Sequence, residues 1–383
     1  MDPLFEHQLL QTRRQFFGDS GIRLGGVAMA SLLAGQGRSS AEGSEVHPGI
    51  GGLPHFTGKA KAVIYLHMNG GPSQLDTWDY KPKLQEQFDK SLPKEFLGDR
   101  ITTMTSGQGK FPVAPSKYKF TQHGECGRWV SALLPHTAKV VDDIAVIKTV
   151  HTNAINHDPA CTFVMTGSEI PGKPCMGSWV SYGLGAETSD LPAFVSLVPN
   201  FPNGSNAQAL YSRMWGSGFL PGKYSGVVLR PGADPVLYLD NPPGVSSTDR
   251  REMLDTLGKL NERGFRKFGD PDIQTRISQY EMAYRMQSSV PELTDLARES
   301  KATKELYGSR VDTPGSFSRS ALLARRLVER GVRMVQILHR GWDSHGNLPH
   351  ELGNQCKDTD QAIGALITDL KQRGMLDETL VIW

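Results

Sequence analysis

Apolar residues are not spread evenly along this chain. They gather in short β-rich runs, each closed by turn residues. Lys61–Met68 (KAVIYLHM) is almost continuously apolar and stops at Asn69-Gly70-Gly71-Pro72. Ile144–Val150 (IAVIKTV), Ala193–Val198, Val332–Leu338 (VRMVQIL) and Thr379–Trp383 (TLVIW) repeat the pattern. A strand without alternation is one buried on both faces, which is the habit of parallel sheets. Between these runs the spacing turns helical. Ser320–Arg330 (SALLARRLVER) is amphipathic and stops at Gly331, while Thr359–Arg373 sets Ala362, Ile363, Leu366, Ile367 and Leu370 on one face and closes at Gly374. Such alternation predicts an α/β fold, a mostly parallel central sheet flanked by helices. Residues 248–310 depart from it: they are charged, helical in pattern and free of strand signals, and read as a helical insertion.

Composition narrows the picture in two places. The 42 basic and 40 acidic side chains nearly cancel, so the charge gives no support for a nucleic-acid partner. No apolar run reaches the roughly 18 residues needed to span a bilayer, so no stable membrane span is expected in the mature protein. Cys126, Cys161, Cys175 and Cys356 form no CxxC pair and are too scattered for a disulfide framework, although one bridge after export stays open.

The N-terminus changes the expected compartment. Residues 12–18 read Thr-Arg-Arg-Gln-Phe-Phe-Gly, followed by a weakly apolar stretch from Leu24 to Gly35 and small polar residues through Ala41. A basic n-region, a short apolar h-region and small residues are the layout of a signal peptide. The motif resembles the twin-arginine signal, which implies the twin-arginine translocation machinery as a partner and a periplasmic or extracellular location. That route carries folded proteins, often ones loaded with a metal or cofactor. The predicted organisation is a signal peptide over 1–41, a Gly/Pro/Ser-rich linker over 42–58 and an α/β domain over 59–383.

Ligands in open parallel sheets collect at the C-terminal ends of the strands. Three polar clusters fall there: Gly70 to Asp79 with Asp76 and Asp79, His151 to His157-Asp158-Pro159, and His339-Arg340-Gly341-Trp342-Asp343-Ser344-His345. Carboxylate and imidazole together suit a divalent cation such as zinc or manganese. Asp76, His157, Asp343 and His345 are the candidate metal ligands, with calcium also among the candidate ions. Asp76 and Asp79 are equally suited to capping a turn or helix. Arg340 or His339 is placed to balance charge on a leaving oxyanion.

Four stretches carry a family resemblance: GGPSQLDTWDYKP (70–82), NHDPACTFVMTGSEIPGKPCMGSWVSYGLG (156–185), LLARRLVERGVRMVQILHRGWDSHGN (322–347) and LDETLVIW (376–383). They resemble the DUF1501 family of exported bacterial proteins, abundant in planctomycetes. That family looks like a sulfatase-like branch of the alkaline phosphatase superfamily, which implies hydrolysis of a sulfate or phosphate ester, small or polysaccharide-borne, at a metal centre. Sulfatases carry Cys/Ser-x-Pro-Ser-Arg, four residues, then Thr-Gly; here Pro159 lies seven residues before Thr166-Gly167. This register puts His157 at the formylglycine position and Ala160-Cys161 at the Ser-Arg pair, so the usual nucleophile is absent. His157 then serves as ligand, acid–base group or nucleophile, and Thr162 is a further nucleophile candidate. The resemblance also implies a Gly-Gly-Glu-Phe-Gly-Arg-Thr type loop and a histidine-rich segment beyond the strand at 379–383. The sequence ends at Trp383, so a C-terminally truncated domain with reduced activity is expected. The alternative is a non-catalytic exported binding or assembly protein on the same scaffold.

Overall fold

The computed structural model describes residues 58–97, 107–202, 207–232, 235–236 and 239–383. The twin-arginine motif and nearly all of the linker lie outside these residues. Five strands form a parallel sheet: β1 Ala62–Met68, β4 Phe194–Leu197, β5 Val227–Leu229, β6 Met334–His339 and β7 Thr379–Ile382, in the order β5-β4-β6-β1-β7. A separate antiparallel hairpin pairs β2 Phe120–His123 with β3 Arg128–Ser131.

The continuous apolar runs follow from burial on both faces. Ile64, Leu66, Met68, Val335 and Ile337 point into one core, and Tyr65, Met334 and Leu338 into another. Helices cover each side. α1 Gln74–Thr77, α2 His157–Thr166 and α3 Met176–Leu184 follow β1 and precede β4, and Met165 of α2 packs in the second core. α4 Ser247–Phe268, α5 Pro271–Thr294 and α6 Lys301–Tyr307 occupy the strand-free stretch, and α5 contributes Met282, Met286, Val290 and Leu293 to the first core. α7 Phe317–Glu329 and α8 Leu348–Gln372 complete that layer. Fully buried Leu322 and Leu327 of α7 each contribute roughly 1.5–3 kcal/mol. Among the described residues, no helix is long and apolar enough to cross a membrane.

One expected strand is not formed. Ile144–Val150 pairs with no strand, and Ile147 and Val150 are 73% and 79% exposed. β-propensity acts only where a sheet neighbour and a packing surface are available, and β4, β6 and β7 take the positions next to and beyond β1. The short β5 and the hairpin lacked a long apolar run to reveal them. Two helices begin earlier than their apolar stripes suggested. Ser316 caps α7 by accepting from the Arg319 amide, and α8 starts at Leu348 with a proline in its first turn.

A buried ion network ties this helical layer together. Arg325, on α7, reaches Glu299 at 2.7 Å and Asp369 at 2.9 Å, and Arg326 reaches Glu299 at 2.7 Å. Arg373 bonds Asp369 at 2.7 Å, and the Tyr307 hydroxyl donates to the same carboxylate at 3.1 Å. Burial pushes the Glu299 carboxyl up, but its bonds to Arg325 and Arg326 outweigh that and hold it below its ordinary range. A carboxyl depressed in the folded state stabilises above its unfolded pKa, near 4.3 for glutamate, and loses that contribution as pH falls through the folded value. Arg325→Ala takes one partner from each of two buried carboxylates, leaving Glu299 to Arg326 and Asp369 to Arg373 and Tyr307, and is expected to cost at least about 1.5–3 kcal/mol in urea denaturation at pH 7. A loss under about 1 kcal/mol would contradict the network's structural role.

Candidate metal centre

The register of β1 against β6 decides where the site lies. Met68 pairs with His339, so both strands end level and their following turns meet. The Trp342 amide donates to the Asn69 carbonyl at 3.2 Å. Gly70, at φ +110°, lies so close that a Cβ there would stand 2.5 Å from the Asp343 amide nitrogen. No L-residue with a side chain fits that position without moving one of the two turns.

The turn after β6 is clamped from the other side by α8. Gln355 donates to the Gly341 carbonyl at 2.6 Å. His339 is fully buried: its Nδ1 accepts from Trp342 Nε1 at 2.8 Å, which leaves the neutral ring's proton on Nε2, 3.0 Å from Asp358 Oδ2. His339 therefore props the turn, and its expected part in balancing an oxyanion is corrected. The period of two in β6 sends His339 into the helical layer.

Asp343 leaves this clamped turn with its carboxylate nearly buried. Its Oδ1 stands 3.3 Å from His157 Nε2 and 2.8 Å from His345 Nε2. The three ligand atoms lie within 4.8 Å of one another. His157 is the first residue of α2, after the extended Asn156, so the helix start presents its imidazole at the sheet edge. Asp343 Oδ2 accepts from Gln208 Nε2 at 2.5 Å, which leaves Oδ1 to face both imidazoles. Two imidazoles and one carboxylate fit zinc or manganese, with a coordination position left for water or substrate. Calcium, which takes about six to eight oxygen ligands, does not fit this set.

The remaining candidates divide. Arg340 is half-buried; its Nε donates to the Gln208 carbonyl at 3.3 Å, and its guanidinium stands 5.0 Å over the Phe201 ring. It is thus tied to the same residue that holds Asp343. Asp76 stands outside the three-residue group: its oxygens accept from the hydroxyls of Ser73 and Ser116, each at 2.7 Å. It ties the segment after β1 to Ser116, and the helix start at Ser73 carries no side-chain cap bond. Asp79 pairs with Lys81, whose hydrogen bond holds its carboxyl below the ordinary range, and with Lys148 at 3.5 Å. Thr162 is buried in α2, donating to the Asp158 carbonyl at 2.7 Å and accepting from Arg213 Nε at 2.8 Å, which removes it as a nucleophile.

Sequence reasoning missed Gln208 and Asn69. Asn69 is fully buried and donates through Nδ2 to the carbonyls of Gln208 and Ala209 at 3.2 and 3.3 Å. Neither residue titrates, and Gln208 lies far from the other clusters in the chain, so only their contacts show what they do. Beside Asn69, burial pushes the His67 imidazole down to about 4, against a smaller upward pull from Asn69. Burial likewise pushes the neighbouring Tyr65 hydroxyl up to about 12 and raises the Cys161 thiol.

Residues 60–383 match the model of DUF1501, described as a protein of unknown function. The chain belongs to the DUF1501 family. No curated protein and no solved structure matches it. The DUF1501 match spans every residue of the centre, from the turn after β1 to His345.

Two substitutions test this construction. Gly70→Ala is expected to cost at least about 1–3 kcal/mol in thermal or urea unfolding, from backbone strain alone; an unchanged stability would show that the two turns separate freely. Gln208→Ala is expected to weaken zinc binding by about 10–100-fold in isothermal titration, and unaltered affinity would remove Gln208 from the centre.

Proposed function

We propose that this DUF1501 chain is an exported, metal-dependent hydrolase of phosphate or sulfate esters, of the sulfatase-like kind. The observation that carries the reading is the convergence of His157, Asp343 and His345 at the C-terminal edge of a parallel sheet. The register of His157-Asp158-Pro159 against Thr166-Gly167 adds to it, and the twin-arginine motif supports export to the periplasm or beyond.

A divalent cation held by these three side chains, zinc or manganese by ligand type, supplies Lewis acidity and an activated water. Asp343 brings the negative charge that retains the cation, with Gln208 fixing which oxygen faces it. His157, facing Asp343 Oδ1, acts as ligand, and with Thr162 occupied in α2 the attack falls to water rather than to a side chain. Arg340, anchored on the Gln208 carbonyl, carries the positive charge that opposes the developing oxyanion.

Zinc or manganese is expected to support turnover of p-nitrophenyl phosphate or p-nitrophenyl sulfate, and EDTA to abolish it. Asp343→Asn is expected to lower kcat/KM by about 10³-fold, corresponding to several kcal/mol of lost stabilisation. Turnover that survives both EDTA and Asp343→Asn would overturn the reading. Tight metal binding without turnover of any ester would favour the second reading, a non-catalytic exported binding protein; the histidine at the formylglycine position, His157, is what recommends it.

A further inference from the structure

A second set of donor atoms lies at the end of β1, one helical turn along α2 from His157. His67 Nε2, Asn69 Oδ1 and Cys161 Sγ face one another: His67 to Asn69 at 3.3 Å, Cys161 to Asn69 at 3.2 Å and Cys161 to His67 at 3.9 Å. In a tetrahedral zinc site, bonds of about 2.0–2.3 Å put ligand atoms roughly 3.4 Å apart for a nitrogen–oxygen pair and roughly 3.6 Å apart for pairs with sulfur. The three observed separations each lie within a few tenths of an ångström of those values.

We propose that His67, Asn69 and Cys161 form a thiolate-containing zinc site, distinct from the His157–Asp343–His345 centre.

The surroundings orient each donor for that purpose. Asn69 spends both amide protons on the carbonyls of Gln208 and Ala209, so its oxygen is turned toward Cys161 and His67. Two protonated donors, the Cys161 thiol and His67 Nε2, therefore converge on one carbonyl oxygen, where a single cation would replace both bonds. His67 Nδ1 lies 3.2 Å from the Tyr65 hydroxyl, an outer partner of the type that fixes the ring of a metal-bound histidine. On binding, the Cys161 S–H bond breaks and a sulfur–zinc bond forms, with the proton released to solvent. The His67 ring passes its remaining proton to Nδ1, which then donates to Tyr65. Cys161 is half-buried while His67 and Asn69 are buried, so the cation enters from the thiol side. A thiolate selects zinc over magnesium, calcium and manganese. The two donor sets also share a support, because Gln208 binds Asp343 through its side chain and Asn69 through its carbonyl.

Cobalt(II) titration of the metal-free full chain tests the assignment, because thiolate ligation adds a near-ultraviolet sulfur-to-cobalt charge-transfer band that imidazole and carboxylate ligands do not give. The band is expected in the wild-type chain, retained in Cys126→Ser, which removes the exposed thiol, and lost in Cys161→Ser. It is also expected to persist in Asp343→Asn, whose first centre is broken, so failure of the hydrolase reading leaves this result untouched. Zinc is expected to displace the cobalt and bleach the band. Absence of the band in the wild-type chain, or its survival in Cys161→Ser, would overturn the proposal.

Discussion

The close approach of two turns governs this molecule. β1 and β6 are parallel neighbours that end level, and the turn after one must pass against the turn after the other. At Gly70 the spacing leaves 2.5 Å between the site of a missing Cβ and the Asp343 amide nitrogen. That contact is permitted only by glycine, and it sets where the Asp343 carboxylate emerges. The helical layer reinforces the same turn from behind, through Gln355 on Gly341 and Asp358 on His339. Behind these, the ion network around Arg325 anchors α7 and α8 to one another. Stability and site geometry are therefore coupled, because elements that bury the core also aim the donors.

The electrostatics of the sheet edge follow from that packing. Asp343 is largely withdrawn from water, and its partners among the described residues are Gln208, His157 and His345. A buried carboxylate in that condition wants a counter-charge. Two imidazoles stand beside it, one of them exposed. Gln208 and Asn69 add no charge, and their amide groups fix which oxygen each neighbour offers. Thr162 is not free to attack, being committed to Arg213 and a backbone carbonyl.

Much of the fold was legible in the sequence. Fully buried parallel strands write themselves as unbroken apolar runs, so β1, β4, β6 and β7 could be placed, and α7 and α8 showed their buried stripes. Ile144–Val150 has the same composition without a place in the sheet, and periodicity alone cannot separate the two cases. The cluster holding Asp343 and His345 was visible because it follows β6, whereas His157 was placed by the run Ile144–Val150, which forms no strand, and it reaches the sheet edge as the first residue of α2. Asp76 resembled them in composition, but what it does depends on Ser116, a partner forty residues away. The supporting residues were invisible for the same reason: nothing local marks Gln208 or Asn69 as neighbours of Asp343.

The proposed hydrolase requires one cation to be held by three side chains from two separate segments. The most direct measurement is an anomalous diffraction map, at the zinc edge, of crystals of this chain equilibrated with zinc. An anomalous peak is expected about 2.0–2.2 Å from His157 Nε2, Asp343 Oδ1 and His345 Nε2. A zinc-equilibrated crystal with no peak among those three atoms would contradict it.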